Sequence, residues 1–397
     1  MTASEARQPS VSNAGDASGP HYLLLTGAKL NAGDFLIRHR CKQLLRMLRP
    51  DARLSFHDRW RPLDPEQANA VDAIILAGGP ALQPRLYPGV YPLTDTLDRI
   101  RPPIIAWGLG WKGIPGDEWT ERTYGFTSPS RFLLERVQRD GWPIACRDRA
   151  TARVLHRAGF GSTVVTGDPA WYHFDRLGQP FRPLRTLRSV VLSVPASPDY
   201  FPQAHHLARR LRESHDRVQL LCAFNHGWTP GPHLPEGRAR ALAALRDELE
   251  RDGFAVADLS GTAEGLLELP DRSDLHVGYR LHAHLLFLSH RRPSLLVEED
   301  GRGRAAGEAL GLPGVPAWRR TVVTRAALEV VLRAARRGGR LERAVQGRTR
   351  PADRTVEHVL AELARHYATG YRDYQTVGAR IDEAYVRAMK PFVESLP

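Results

Sequence analysis

Arg280 and His282 stand two residues apart in the run S-D-L-H-V-G-Y-R-L-H-A-H-L-L-F-L-S-H. An arginine offers a planar fork of donors that suits carboxylate and phosphate groups. A histidine titrates near neutrality and can hand over a proton. Together they make an anion site with a proton donor inside it. Their neighbours say where such a site lies. Leu275 to Tyr279 is short and apolar, which suits a buried strand. Leu281 to His290, carrying Leu281, Leu285, Leu286 and Leu288, reads as a helix of about three turns. Pro293 ends it, and Ser294 to Val297 makes a second strand. Arg280 and His282 therefore sit where a strand hands over to a helix. That is the carboxyl edge of a parallel sheet, where open α/β folds bind ligands and free helix N–H groups attract anions. Arg302 and Arg304 follow the next strand, within reach of the same crevice. His276, inside a strand, reads as structural. His284 points to another helix face than His282, so its removal is expected to be nearly silent.

The same placement recurs upstream. His21 to Ala28 is the first strand, followed by Asn31-Ala-Gly-Asp34 and a helix from about Phe35 to Leu48, which Asn31 or Asp34 can cap. Val71 to Leu76 ends in Gly78-Gly79-Pro80, and Pro103 to Trp107 in Gly108-Leu-Gly110. Pro143 to Cys146 ends in Arg147-Asp148, and Ser162 to Thr166 in Asp168-Pro169-Ala170. We place Asn31, Gly79, Gly110, Arg147, Arg280, Arg302 and Arg304 in a substrate-binding set. His282, Asp34 and Asp168 form the catalytic set, the two aspartates as alternative proton acceptors. His226, after Val218 to Phe224, is a further candidate. Residues 108–113 match G-x-G-x-x-G, but after a late strand and before a stretch without helical period. Those glycines read as tight turns, not as a dinucleotide site.

Strand and helix alternate twice along the chain. This gives an α/β fold of two Rossmann-like doubly wound domains facing a crevice, the GT-B-like architecture. The expected division is a disordered leader at 1–20, a first domain at 21–176, and a linker at 177–188 with Gly178, Pro180 and Pro183. A second domain follows at 189–345, including a helix from Arg325 to Arg337. Residues 346–397 are C-terminal helices, the last of which, Asp382 to Met389, would pack back on the first domain.

Composition narrows the classes. The net charge is +12, and only four of the 56 basic residues are lysines (Lys29, Lys42, Lys112, Lys390). Such a balance fits an anionic substrate or contact with an anionic membrane surface. Nucleic acid is not expected, because no zinc-finger spacing, aromatic RNA-binding strand or strongly basic helix face is present. Cys41, Cys146 and Cys222 are too scattered for a disulfide frame or a zinc site. With no signal peptide and no long apolar run, the chain is expected in the cytoplasm or peripherally at the inner membrane face. No metal site is expected, since the histidines offer no i,i+4 pair and no H-E-x-x-H occurs. No G-x-S-x-G elbow suggests a serine hydrolase.

Taken in order, N-A-G-D (31–34), A-G-G-P (77–80), W-G-L-G (107–110), C-R-D-R-A-T (146–151), G-D-P-A (167–170), G-Y-R-L-H-A (278–283) and E-D-G-R (299–302) resemble the polysaccharide pyruvyl transferase family. Pro80 stands where a third glycine is common, and the E-E-D-G-R-G-R run leaves Arg302 and Arg304 as alternatives. The resemblance implies an enzyme that takes phosphoenolpyruvate as co-substrate, with no other cofactor, and a sugar or glycan acceptor, free or lipid-linked. The pyruvyl group becomes a ketal bridging two hydroxyls and phosphate leaves. His282 would protonate the methylene carbon, and the arginines would hold the phosphate and carboxylate. Two alternatives stay open. One is a nucleotide-sugar glycosyltransferase with Glu298 or Glu299 on a ribose and Arg280 on a diphosphate. The other is a non-catalytic binding protein on the same fold.

Overall fold

The computed structural model describes residues 19–181, 184, 186–215, 217–320 and 349–397. Two parallel sheets organise them. The first contains β1 (His21–Thr26), β2 (Arg53–Asp58), β3 (Ala73–Ala77) and β4 (Ile104–Trp107) in the order β2-β1-β3-β4. A single bridge between Leu109 and Cys146 extends it to β5 (Ile144–Cys146), which pairs with β6 (Thr163–Val165). The second sheet runs β12-β11-β10-β7-β8-β9, built from β7 (Ser189–Ser193), β8 (Gln219–Phe224), β9 (Ala255–Asp258), β10 (Leu275–Gly278), β11 (Ser294–Glu298) and β12 (Val315–Pro316). In each sheet the strand order reverses once, between β1 and β3 and between β7 and β10. Parallel sheets covered on both faces need nearly continuous apolar strands, and β3, β4, β10 and β11 are buried at every position. The two doubly wound domains are GT-B-like.

Most expected elements form within two or three residues of their sequence limits. The first helix starts earlier than expected, at Ala32, because Asn31 caps it by accepting the Gly33 N–H at 3.4 Å. Asp34 lies in its first turn instead of capping it. A short helix, Glu118–Thr123, occupies a stretch without visible period, since six residues are too few to show one; Asp117 caps it. The final helical stretch runs from Asp373 through a π-helical turn at Tyr385–Met389 to Glu394, not only from Asp382 to Met389. The expected leader (1–18 of it) and the Arg325–Arg337 helix lie outside the described residues.

The helix Leu281–Ser289 is buried at all nine positions. It lies between the two domains, against the first helix and the Pro169–Trp171 turn. This overturns the expectation for His284, which is 2% exposed with Nδ1 2.7 Å from Ser294 Oγ. A helix packed all round has no spare face. The C-terminal stretch binds the domains together. Tyr374 donates to Ser294 O at 2.9 Å in the second domain, while Trp107 Nε1 donates to Met389 Sδ at 3.1 Å in the first. Among the described residues no helix is long and apolar enough to cross a membrane.

Candidate active site

The carboxyl edges of the two sheets meet at their reversal points, and the polar residues of the sequence motifs collect there. Arg280 follows β10. Its backbone N–H donates to Ser193 Oγ at 3.0 Å, at the end of neighbouring β7. Its side chain crosses to the first domain, where Nη2 donates to Asn31 Oδ1 at 3.1 Å. Nη1 lies 3.8 Å from Glu299 Oε2 and makes no hydrogen bond. Burial pushes the Arg280 guanidinium down to about 10, against the pull of Glu299.

His282, in the first turn of the buried helix, places Nε2 3.6 Å from Asp168 Oδ2. Asp168 is fully buried and accepts the Ala170 N–H at 3.0 Å through its other oxygen. Arg147 Nη1 stands 3.8 Å from the same Oδ2. Burial alone would raise the Asp168 carboxyl, but His282 and Arg147 outweigh it and hold the group below its ordinary value. Arg147 also donates from Nε to Asp148 at 3.2 Å and from Nη2 to Trp111 O at 3.3 Å. Gly110 makes room for it: a Cβ there would fall 2.0 Å from Arg147 Nε. Gly79 lies against Arg59 instead, in the turn whose carbonyl accepts the Gly110 N–H at 2.9 Å.

Arg302 and Arg304 part company. Asp300 caps the helix Gly301–Leu310, accepting the Arg302 N–H at 3.0 Å, and the Arg302 guanidinium folds back on the same carboxylate at 2.7 Å. Arg302 lines a recess with Asn31, Gly33, Asn225, Arg280 and His282. Arg304 turns away and meets Glu121 at 2.6 Å and Gly116 O at 2.8 Å. Arg153 and Arg157 join Glu121 at 2.7 and 3.0 Å. These three arginines outweigh the effect of burial and hold Glu121 down to about 2. Asp34 is half-buried, accepts from Asn31 Nδ2 at 3.1 Å and faces the charges of Arg280 and Arg302.

Lys112 and Asn225 are new in this cluster, and Glu299, expected only as a ribose contact, joins them. Glu299 accepts the N–H groups of Ala196 and Ser197 at 3.0 and 3.1 Å and faces Arg280. Lys112 lies among Arg302, Asp300, Arg280 and Glu299; burial first, then the two arginines, lowers its amine. Its signal was present, since it is one of four lysines and stands two residues after the strand-end turn Gly108-Leu-Gly110. Asn225 directly precedes His226 and is 2% exposed. His226 itself is held well below its ordinary value by burial, with Arg280, Arg238 and Arg302 adding to it.

Arg147 Nη1, Asp168 Oδ2, Arg280 Nη1, His282 Nε2 and both polar atoms of Asn225 are buried without a hydrogen-bond partner. Buried polar atoms are nearly always paired, so this group of unpaired ones makes the recess the candidate binding site. Each arginine there has a carboxylate near it, so the site can bind and orient an anion without stacking unpaired positive charge. Among the described residues no group of three His, Cys, Asp or Glu side chains is placed to hold a metal ion.

Two doubly wound domains with such a recess between them define an α/β protein of GT-B-like fold. Residues 31–301 match the model of the family described as polysaccharide pyruvyl transferase, and the chain belongs to that family, which is a family of transferases. No curated protein matches the chain in sequence. Among solved structures, it is similar to the S. aureus MnaA–UDP complex, at 9% identity and TM-score 0.43 over 88% of this chain and 97% of that one. It is also similar to a UDP-N-acetylglucosamine 2-epimerase described as putative from Listeria monocytogenes, at 10% and 0.43 over 89% and 98%. A third is a UDP-forming α,α-trehalose-phosphate synthase from Burkholderia xenovorans, at 12% and 0.41 over 91% and 76%.

Proposed function

We propose that this protein moves the pyruvyl group of phosphoenolpyruvate onto two hydroxyls of a sugar acceptor, forming a pyruvate ketal and releasing phosphate. The observation that supports this most is the His282–Asp168 pair, 3.6 Å apart, with Arg147 3.8 Å from the same carboxylate oxygen and with Arg280 and Arg302 lining the recess beside His282. The arginines suit the phosphate and carboxylate of phosphoenolpyruvate. His282 gives its proton to the methylene carbon, making the methyl group. The adjacent carbon becomes electron-poor and the first acceptor hydroxyl bonds to it. Phosphate then leaves as the second hydroxyl closes the ketal. One hydroxyl proton replaces the proton that His282 gave, and the other leaves on phosphate. Asp168, sealed from solvent, orients the imidazole and stabilises its charged form. Asp34, at the edge of the recess, is the carboxylate left to take a hydroxyl proton. No cofactor enters beyond phosphoenolpyruvate.

The nucleotide-sugar reading needs a free glutamate for a ribose. Glu299 is occupied by two backbone N–H groups, and Glu298 accepts the Gly314 N–H at 3.1 Å. Crystals soaked with phosphoenolpyruvate test the proposal. Density bridging Arg280 and Arg147 near His282 is expected; a ligand held by neither arginine would contradict it.

A further inference from the structure

Asn225 lines the same recess without belonging to the arginines or to the histidine pair. It follows β8 at the carboxyl edge of the second sheet. Its backbone oxygen accepts the Ala32 N–H at 3.0 Å, so the opposite domain fixes its position. The side chain is 2% exposed and lines the recess with Arg280, His282 and Arg302. Neither Nδ2 nor Oδ1 has a hydrogen-bond partner. A buried amide unpaired at both ends is costly, and a ligand that pairs both ends relieves that cost.

Donor and acceptor roles decide which ligand can do so. The amide Nδ2 donates and Oδ1 accepts. The carboxylate and dianionic phosphate of phosphoenolpyruvate only accept, so placing either against Oδ1 sets lone pairs against each other. A hydroxyl both donates and accepts. We propose that Asn225 reads a hydroxyl of the acceptor diol. The recess then has an anion side, made by Arg280 and Arg302, and a hydroxyl side, made by Asn225. This assignment rests on the pyruvyl-transfer reading above.

Two measurements on wild type, Asn225→Ala and Asn225→Ser test it. Calorimetry follows phosphoenolpyruvate. Saturation-transfer NMR follows methyl β-D-galactopyranoside and methyl α-D-mannopyranoside, with either phosphoenolpyruvate or inorganic phosphate present. Both variants should keep phosphoenolpyruvate affinity within about twofold, while Asn225→Ala loses pyranoside binding by roughly tenfold. Asn225→Ser should lose less, because its hydroxyl still donates and accepts. A fall in phosphoenolpyruvate affinity in both variants overturns the assignment, as does unchanged pyranoside binding or a wild type that binds neither pyranoside. Wild-type protein that takes up no phosphoenolpyruvate overturns the pyruvyl-transfer reading instead, and the phosphate arm still reads Asn225. Thermal melts establish that the variants fold, and Asn225→Ser decides if Asn225→Ala does not.

Discussion

Gly33 lies directly against His282: a Cβ at position 33 would stand 2.7 Å from the imidazole Nδ1. The first helix of one domain thus presses its N-terminus onto the candidate proton donor of the other. Gly33→Ala should push the ring away from Asp168. We expect turnover to fall on the order of 10²-fold, the usual result of a misplaced catalytic group. Phosphoenolpyruvate affinity, set by the arginines, should change little. Steady-state kinetics beside calorimetry separate the two effects.

Asp168→Asn keeps the shape but removes the charge that faces His282 and Arg147. Activity should fall at least as far as in Gly33→Ala. Stability should respond to pH as well. The folded carboxyl titrates below its ordinary 3.8, so the unfolded chain binds the proton more readily. The stabilisation is therefore complete above about pH 4 and is lost as pH falls through the lower folded value. Urea melts should show wild type more stable than Asp168→Asn at neutral pH, with the gap closing below about pH 4. A gap independent of pH would contradict the ion-pair account.

His284→Ala should be destabilising, by about 1–3 kcal/mol, because it leaves Ser294 Oγ short of a buried partner. Burial pushes the His284 imidazole down to about 3, whereas an unfolded histidine titrates near its ordinary value of 6.5. Below that value the unfolded state takes up a proton that the folded state refuses. Stability should thus decline by up to about 1.4 kcal/mol per pH unit from this group as pH drops from 6.5. His284→Gln should melt with a shallower acid slope than wild type. Equal slopes would show that His284 is not held neutral.

Arg302→Ala and Arg304→Ala separate binding from stability. Arg302 lines the recess, so its loss should weaken phosphoenolpyruvate binding by roughly 1.5–3 kcal/mol. Arg304 serves the Glu121 cluster between the domains. Its loss should lower the melting temperature and leave phosphoenolpyruvate affinity within about twofold. The opposite pattern would exchange their roles.

Sequence carried much of this site because strand ends are readable. Arg147, Asp168, Arg280 and His282 each follow an apolar run that can only be a buried strand, and parallel strands deliver their carboxyl ends to one edge. Arg302 and Arg304 were harder. Two residues apart on a helix point to nearly opposite sides, but that argument needs Gly301 as the helix start, and three glycines hide it. His284 was misread because the faces of an apolar helix show nothing of what covers them. Asn225 could not be singled out, since its importance comes from an unpaired amide that the fold buries beside Arg280, His282 and Arg302. The six-residue Glu118–Thr123 helix that supplies Glu121 is shorter than two turns, below what periodicity can reveal.

The most direct test of the central claim is phosphate release from phosphoenolpyruvate with a panel of pyranoside acceptors, comparing wild type with His282→Ala. Wild type should release phosphate only when both substrates are present. His282→Ala should fold, retain most of its phosphoenolpyruvate affinity by calorimetry, and turn over about 10²–10⁴-fold more slowly, the range for loss of a positioned general acid. A His282→Ala protein as fast as wild type would contradict the account.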